Sequence, residues 1–320
     1  MIKKNDFENL SQKIERAKNI ALFSHISPDP DTVCSAFAMK TALKKLGKNV
    51  EVFCDDLIPD NLDFILSDEN MSKTSDLTYD LAIGIDSSDL QRIGECYKVF
   101  LSAKDTAAID HHKSHVAFSS LTILDENRSS CSEIIFDFLK FMKLLDDKTV
   151  QFLFAGMIAD NGCFQYSNVT KETHKTAEEM YDFNFDKDET IYNIFRRKKF
   201  NVFNLTNRVL ANSKFYEDGK VAIVRMMKED FEATDTTIAE TSGIIAQLIN
   251  VDGVEIAYAV SQVAEYSHKV SIRTKKYVDA NECAACFGGG GHSRAAGCRI
   301  SGHIEDVCDK LLKVARDRLL

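Results

Sequence analysis

The chain has 320 residues, 44% of them apolar, and a formal net charge of −9. That length accommodates two domains at roughly 100–200 residues each, while the acidic balance excludes an extended basic surface for long duplex nucleic acid. Nine dispersed cysteines in a chain too large to need disulfide staples fit reduced thiols. Met1–Asn9 carries no apolar signal-like run, and no stretch approaches the ~20 apolar residues of a membrane span, so a soluble cytoplasmic protein with no membrane partner is expected.

The first half alternates strand-like and helix-like patterns, which predicts a parallel sheet covered by helices. Asn19–Ser24 reads as a strand running into His25-Ile-Ser-Pro-Asp29-Pro-Asp31, where two prolines stiffen the loop. Thr32–Leu46 has helical spacing and stops at Gly47. Asp31 before Thr32 also suits a helix N-terminus. The histidine at the strand end, four residues ahead of Asp29, shifts the reading toward metal ligands. Asn49–Cys54 is the next strand. Tyr79–Ile85 ends at Asp86, by itself a turn former, and Asp89 reads as the cap of the following helix. Thr106–Ile109 ends at Asp110-His111-His112. Adjacent imidazoles point to opposite sides, so one can bind metal while the other faces a substrate, and Asp110 can take the second N–H of the metal-bound ring. His115 reads as a solvated loop residue. Helices over Ser132–Leu145 and Lys148–Ile158 follow, the second leading to Asp160-Asn-Gly162.

In an open α/β sheet the strand C-termini share one crevice. Asp29, Asp31, Asp86, Asp110 and Asp160 delivered there would repel one another. Divalent cations relieve that repulsion, so two metals are predicted, with Asp86 as the bridging carboxylate.

The stretch 187–212 turns polar and basic without Pro or Gly and reads as a helical connector between a domain at 1–186 and another at 213–320. Lys214–Tyr216, the turn Asp218-Gly219 and Val221–Val224 read as a hairpin. A helix near Ile238–Ile249, strands at Val254–Val260 and Val270–Arg273, a short helix and a last helix from about Ile304 complete a smaller α/β domain. Gly288–Gly291, followed by His292, Ser293 and Arg294, reads as a loop offering backbone N–H groups to an anion. Arg273 is placed to clamp a phosphate or carboxylate, or equally to be a solvated strand-face residue. Cys283-Ala-Ala-Cys286 lacks a second pair at zinc spacing and reads as helix packing, ahead of a redox role.

Taken in order, His25…Asp29-Pro-Asp31, Asp86, Asp110-His111-His112, Asp160 and Gly288-Gly-Gly-Gly-His292 with Ala295-Ala-Gly297 resemble the motifs of the DHH phosphoesterase family and its associated C-terminal domain. Pro30 stands where the family commonly has Gly, Cys34 where a Gly often precedes the Ser, and Asn161 where a Thr often follows the last Asp. The two-domain layout is most similar to the family's short-oligonucleotide exonucleases, the NrnA-like nanoRNases. The resemblance implies one Mn²⁺ on His25, Asp29 and Asp86, and a second on Asp31, Asp86, His111 and Asp160, with Mg²⁺ or Co²⁺ as substitutes. It implies that His112, off the metals, hydrogen-bonds the scissile phosphate or protonates the leaving oxygen, with Asp86 and Asp110 also in the catalytic set. Arg273, Gly289, Gly290, Gly291, His292 and Arg294 are implied to grip a substrate held between the domains. The implied substrates are short RNA or DNA oligonucleotides, dinucleotides such as pApA, and 3′-phosphoadenosine 5′-phosphate (pAp); a homodimer is compatible with it. A cyclic di-AMP phosphodiesterase is the alternative within the enzyme class. A catalytically inactive nucleotide-binding sensor is the alternative outside it.

Overall fold

The computed structural model describes residues 4–319. They divide into two compact units, one ending at Arg197 and one beginning at Lys198. The division falls inside the basic stretch 187–212. Its first part, the helix Lys187–Ile191 and the π-helical turn Tyr192–Arg196, belongs to the first unit. The helix Phe200–Leu210 belongs to the second.

In the first unit, β1 (Asn19–Phe23), β2 (Asn49–Phe53), β3 (Leu81–Ile85), β4 (Thr106–Asp110) and β5 (Leu121–Leu124) form a parallel sheet in the order β2-β1-β3-β4-β5. Side chains alternate across it, as the two-residue strand period requires. Ile20 and Leu22 join Ile83, Ile85 and Ile109 under the helices Pro30–Lys45, Cys131–Phe141 and Asp147–Asp160. Ala21 and Phe23 join Phe53, Ile93 and Phe100 on the other face. Strand order reverses between β1 and β3, so the loops leaving these two strands open a crevice at their C-terminal ends. His25–Asp31 and Asp86 lie in those loops.

Local chemistry fixes the helices that border the crevice. Asp29 caps Pro30–Lys45, its Oδ1 accepting from Asp31 N and Thr32 N, with Pro30 as first helical residue. Ser130 caps Cys131–Phe141, and a capping box of Asp146 and Thr149 starts Asp147–Asp160. Gly156 is where that last helix touches the centre. A Cβ there would sit 2.2 Å from Ser132 Oγ and 2.9 Å from Asp31 Oδ1, so only glycine permits the approach.

The second unit holds β6 (Lys214–Tyr216), β7 (Val221–Met226), β8 (Ile256–Ala264), β9 (Ser267–Thr274), β10 (Gly290–His292) and β11 (Ala295–Ser301) in the order β10-β11-β9-β8-β7-β6. Every neighbouring pair is antiparallel except β7 and β8. The helices Ala280–Ala285 and Ile304–Leu319 cover one face through Val270, Ile272 and Ile300. The glycine run departs from the expected open loop. Gly288 N and Gly289 N donate to Ala285 O and Ala284 O and close the helix Ala280–Ala285, while Gly290 and Gly291 enter β10. Among the described residues no helix is long and apolar enough to cross a membrane.

Candidate metal centre

The six residues read as metal ligands in the sequence come together at the crevice. His25 Nε2 lies 3.6 Å from Asp29 Oδ2 and 3.7 Å from Asp86 Oδ2. His111 Nε2 lies 3.4 Å from both Asp86 Oδ1 and Asp160 Oδ2. Two donor groups result: His25, Asp29 and Asp86, and Asp31, His111 and Asp160, the donor atoms of each within 4.8 Å of one another. These separations exceed hydrogen-bond length. They approach the spacing of donors sharing a cation, since bonds of about 2.1 Å put neighbours roughly 3.0–3.4 Å apart. Asp86 turns one oxygen to each group.

The electrostatics at the centre favour added positive charge, whether cations or protons. Asp86 Oδ1 is buried with no hydrogen-bond partner. Burial, then the charges of Asp31, Asp29, Asp160 and Asp110, push the Asp86 carboxyl well above its usual range. Asp160 is pushed up to about 8, by burial first and then by Asp31 and Asp29. Burial also raises Asp31, against the opposing pull of His111 and of two N–H donors, Cys131 N at 2.7 Å and Ser132 N at 3.0 Å. Burial acts upward on Asp29 too, but the facing His25 ring and two backbone N–H groups outweigh it, and its carboxyl ends below the usual value. Ring nitrogens aimed at an orphaned, buried carboxylate oxygen fit a divalent-cation centre of mixed imidazole and carboxylate donors.

The triplet is wired differently from the expectation. His111 Nδ1 contacts the carbonyl of Arg128 at 3.2 Å rather than Asp110. Asp110 is fully buried and takes two other rings, His112 Nδ1 at 2.7 Å and His115 Nδ1 at 2.6 Å. His115 is therefore a buried partner of Asp110, not a solvated loop residue. His112 also falls near Asp86 and His111. Its Nδ1, however, is 3.6 Å from Asp86 and already committed to Asp110, so it stands apart from the ligands. Its hydrogen bond to Asp110 holds the imidazole above its usual pKa and favours a proton on the ring.

Further supports carried no mark in the sequence. Arg128, whose carbonyl meets His111, pairs with Glu133 at 3.3 Å and with Asp137. Asn168 Nδ2 donates to the carbonyls of Ser129 and Asp160. Both relations join segments by folding rather than by spacing.

In the second unit, His292 on β10, Ala295 on β11 and Arg273 on β9 are directly opposite one another across three strands, so they share one face. The next row on that face is Gly290, Gly297 and Ser271. Small residues thus leave a shallow strip between His292 and Arg273. No carboxylate pairs with Arg273 among the described residues; its Nη1 donates to Ile272 O, and burial lowers its pKa. Arg294 is differently employed, donating to the carbonyls of Val278 and Lys276. Gly291 N goes to Asn281 Oδ1, and a Cβ on Gly289 would meet Gly297 O at 2.3 Å. Those glycines serve close packing, and the expected row of free N–H groups is largely consumed within the protein.

Comparison with known proteins agrees with this architecture. Residues 19–159 match the DHH family N-terminal domain, and residues 218–319 match the DHHA1 domain. The chain is 28% identical over 309 residues to the bifunctional oligoribonuclease and PAP phosphatase NrnA of Bacillus subtilis, across 95% of each chain. It is 29% identical over 298 residues to a probable protein of the same description from Streptococcus mutans, across 91% of this chain and 92% of that one. An exopolyphosphatase-related protein from Bacteroides fragilis shares the fold, with a TM-score of 0.90 and 24% identity over 99% of this chain and 97% of that one.

Proposed function

This chain belongs to the DHH family, and on that premise we propose that it is a two-metal phosphoesterase that hydrolyses short oligonucleotides to mononucleotides and pAp to AMP. The observation that carries the proposal is Asp86, whose two oxygens face two separate donor groups while one of them has no partner inside the protein. His25, Asp29 and Asp86 would hold one cation, and Asp31, Asp86, His111 and Asp160 the other. The mixed imidazole and carboxylate set suits Mn²⁺ better than Mg²⁺, with Co²⁺ also acceptable. Bound there, the cations supply phosphoryl charge neutralisation and acidify a water.

The protein's own groups do the rest. Asp86 and Asp31 are buried, and the N–H groups of Cys131 and Ser132 fix the Asp31 carboxylate, so their oxygens would be held toward the cations. Asp110 accepts from the Nδ1–H of His112, which leaves Nε2 bare in the neutral ring and protonated only in the imidazolium. The hydrogen bond to Asp110 raises the pKa and favours that imidazolium, whose Nε2–H would serve the leaving oxygen. In the second unit, Arg273 and His292 flank a strip without bulk, which suits a terminal phosphate with its nucleotide laid across Gly290, Ala295 and Gly297. Arg294 shapes that strip through the 276–278 loop. The named relatives' activities support this substrate class.

The test is a substrate panel with Mn²⁺: pApA, pAp, cyclic di-AMP and RNA of increasing length. Fastest turnover on dinucleotide and pAp supports the proposal. Preference for cyclic di-AMP or for long strands rejects this substrate class, and no turnover on any member leaves a binding protein. Within the enzyme, Arg273→Ala should lower kcat/KM on pApA roughly 10- to 150-fold, the loss of one charge-assisted clamp, with Mn²⁺ affinity unchanged by calorimetry. Indifference of dinucleotide cleavage to Arg273→Ala would remove the clamp.

A further inference from the structure

Arg92 lies in the helical turn Leu90–Cys96, six residues after Asp86, and is only partly buried. No carboxylate stands within ion-pairing distance of its guanidinium among the described residues. Its Nη2 is instead 2.9 Å from His25 Nδ1, and the same Nδ1 is 2.9 Å from the carbonyl oxygen of Ile26. A ring nitrogen can serve one of these neighbours at a time. Protonated, it donates to Ile26 O; bare, it accepts from Arg92.

The rest of the ring decides between them. His25 Nε2 faces Asp29 Oδ2 and Asp86 Oδ2. As a ligand it offers its lone pair there, so the proton belongs on Nδ1 and goes to Ile26 O. The Arg92 N–H then meets another donor. Its backbone cannot retreat, because Arg92 N donates to Asp89 Oδ1 and Ile26 N donates to Arg92 O at 2.8 Å. Only the side chain can re-aim. It carries a permanent charge and a planar fork of donors suited to paired oxygens, and it sits at the lip of the first donor group.

We propose that Arg92 is a catalytic residue that binds the phosphoryl group, its guanidinium passing from His25 to the non-bridging oxygens of the substrate. This rests on the phosphoesterase reading above and adds to it a contact from the metal-binding unit itself. The competing role is that of a positioning residue that only orients His25. The two differ in what they do to metal binding and to anion binding.

The experiment is calorimetry on the full-length wild type, Arg92→Ala and Arg92→Lys. Mn²⁺ is titrated first, then inorganic phosphate into the Mn²⁺-loaded protein, with turnover of pApA measured alongside. Arg92→Ala should keep or tighten Mn²⁺ affinity, because the competing donor at Nδ1 is gone. Its phosphate affinity should fall roughly 10- to 150-fold. Arg92→Lys should recover part of that loss, a point charge without the fork, and millimolar guanidinium should restore phosphate binding to Arg92→Ala. Unchanged phosphate affinity in both variants overturns the proposal, whether or not Mn²⁺ affinity drops. If the wild type turns over no phosphoester yet phosphate binding still depends on Arg92, the enzyme reading fails while the anion contact stands. If turnover is intact and phosphate binding ignores Arg92, only this inference fails.

Discussion

The two ends of chemical interest in this protein are built on opposite plans. At the crevice of the first unit, carboxylates are buried close together with an oxygen left unpartnered and several carboxyl groups forced upward in pKa. At the glycine-rich edge of the second, charge is consumed by the backbone. Glu255, buried, accepts from the N–H groups of Lys276, Tyr277 and Val278 at 2.8–3.0 Å, and Arg294 donates to the carbonyls of Lys276 and Val278. The first region is at odds with itself until a ligand arrives; the second is finished beforehand. The lesson is that a buried acid reports function when its partners are other acids, and scaffolding when they are peptide groups.

The sharpest break of that comparison is Asp86→Asn. Asp86 has a φ of 55°, a backbone state that Asn tolerates well, so the change removes charge without adding strain. It should lower kcat/KM by roughly 10³-fold or more and yet stabilise the metal-free protein by about 1–3 kcal/mol at pH 8. Loss of both activity and stability in denaturant unfolding would show that Asp86 is structural. His112→Ala should come next, cutting kcat roughly 10²- to 10⁴-fold with Mn²⁺ affinity nearly unchanged; an equal fall in metal affinity would make His112 a ligand.

The contrast at the other end is Glu255→Gln. It should destabilise the second unit by about 1–3 kcal/mol, raise KM for dinucleotides, and leave Mn²⁺ binding alone. A stabilised variant would contradict the scaffolding role. The smallest effect is a pH dependence. Asp31, Asp86 and Asp160 are raised above their unfolded values, Asp160 to about 8. Their contribution is full below about pH 4 and lost as pH rises through the folded values. The chelator-treated protein should therefore lose roughly 5–10 °C in Tm between pH 5.5 and 8.5, and Mn²⁺ should flatten the slope. A Tm that rises over that window would reverse the sign assigned to the centre.

Much of this was legible in the sequence because strand ends deliver their residues to one place. His25, Asp29, Asp31, Asp86 and His111 follow β1, β3 and β4, where position along the chain nearly fixes position in space. Asp160 was visible after a long apolar helix, and the structure puts it in that helix's last turn. What stayed hidden depends on contacts across loops. The sharing of Asp110 between His112 and His115 arises from the turn after β4, which has no periodicity to read. Glu255 and Arg128 look like ordinary polar residues until the segments they hold are in place. The helix Lys4–Arg16 was missed although Phe7, Leu10 and Ile14 give it a buried stripe at helical spacing, and β5 because Leu121–Leu124 is only four residues long. The glycine run was misjudged for another reason: its sequence resembles a loop, but Gly297 and Cys298 press against it and require the absence of side chains.

Asp31 receives its two backbone donors from Cys131 and Ser132, a hundred residues further along, and Asp160, in the same donor group, comes later still. During synthesis, then, a nascent chain that has emerged only as far as β4 owns a nearly complete set of histidines and acids but has no means of holding Asp31 in register. The donor group of Asp31, His111 and Asp160 can be complete only after the helix Asp147–Asp160 has been made.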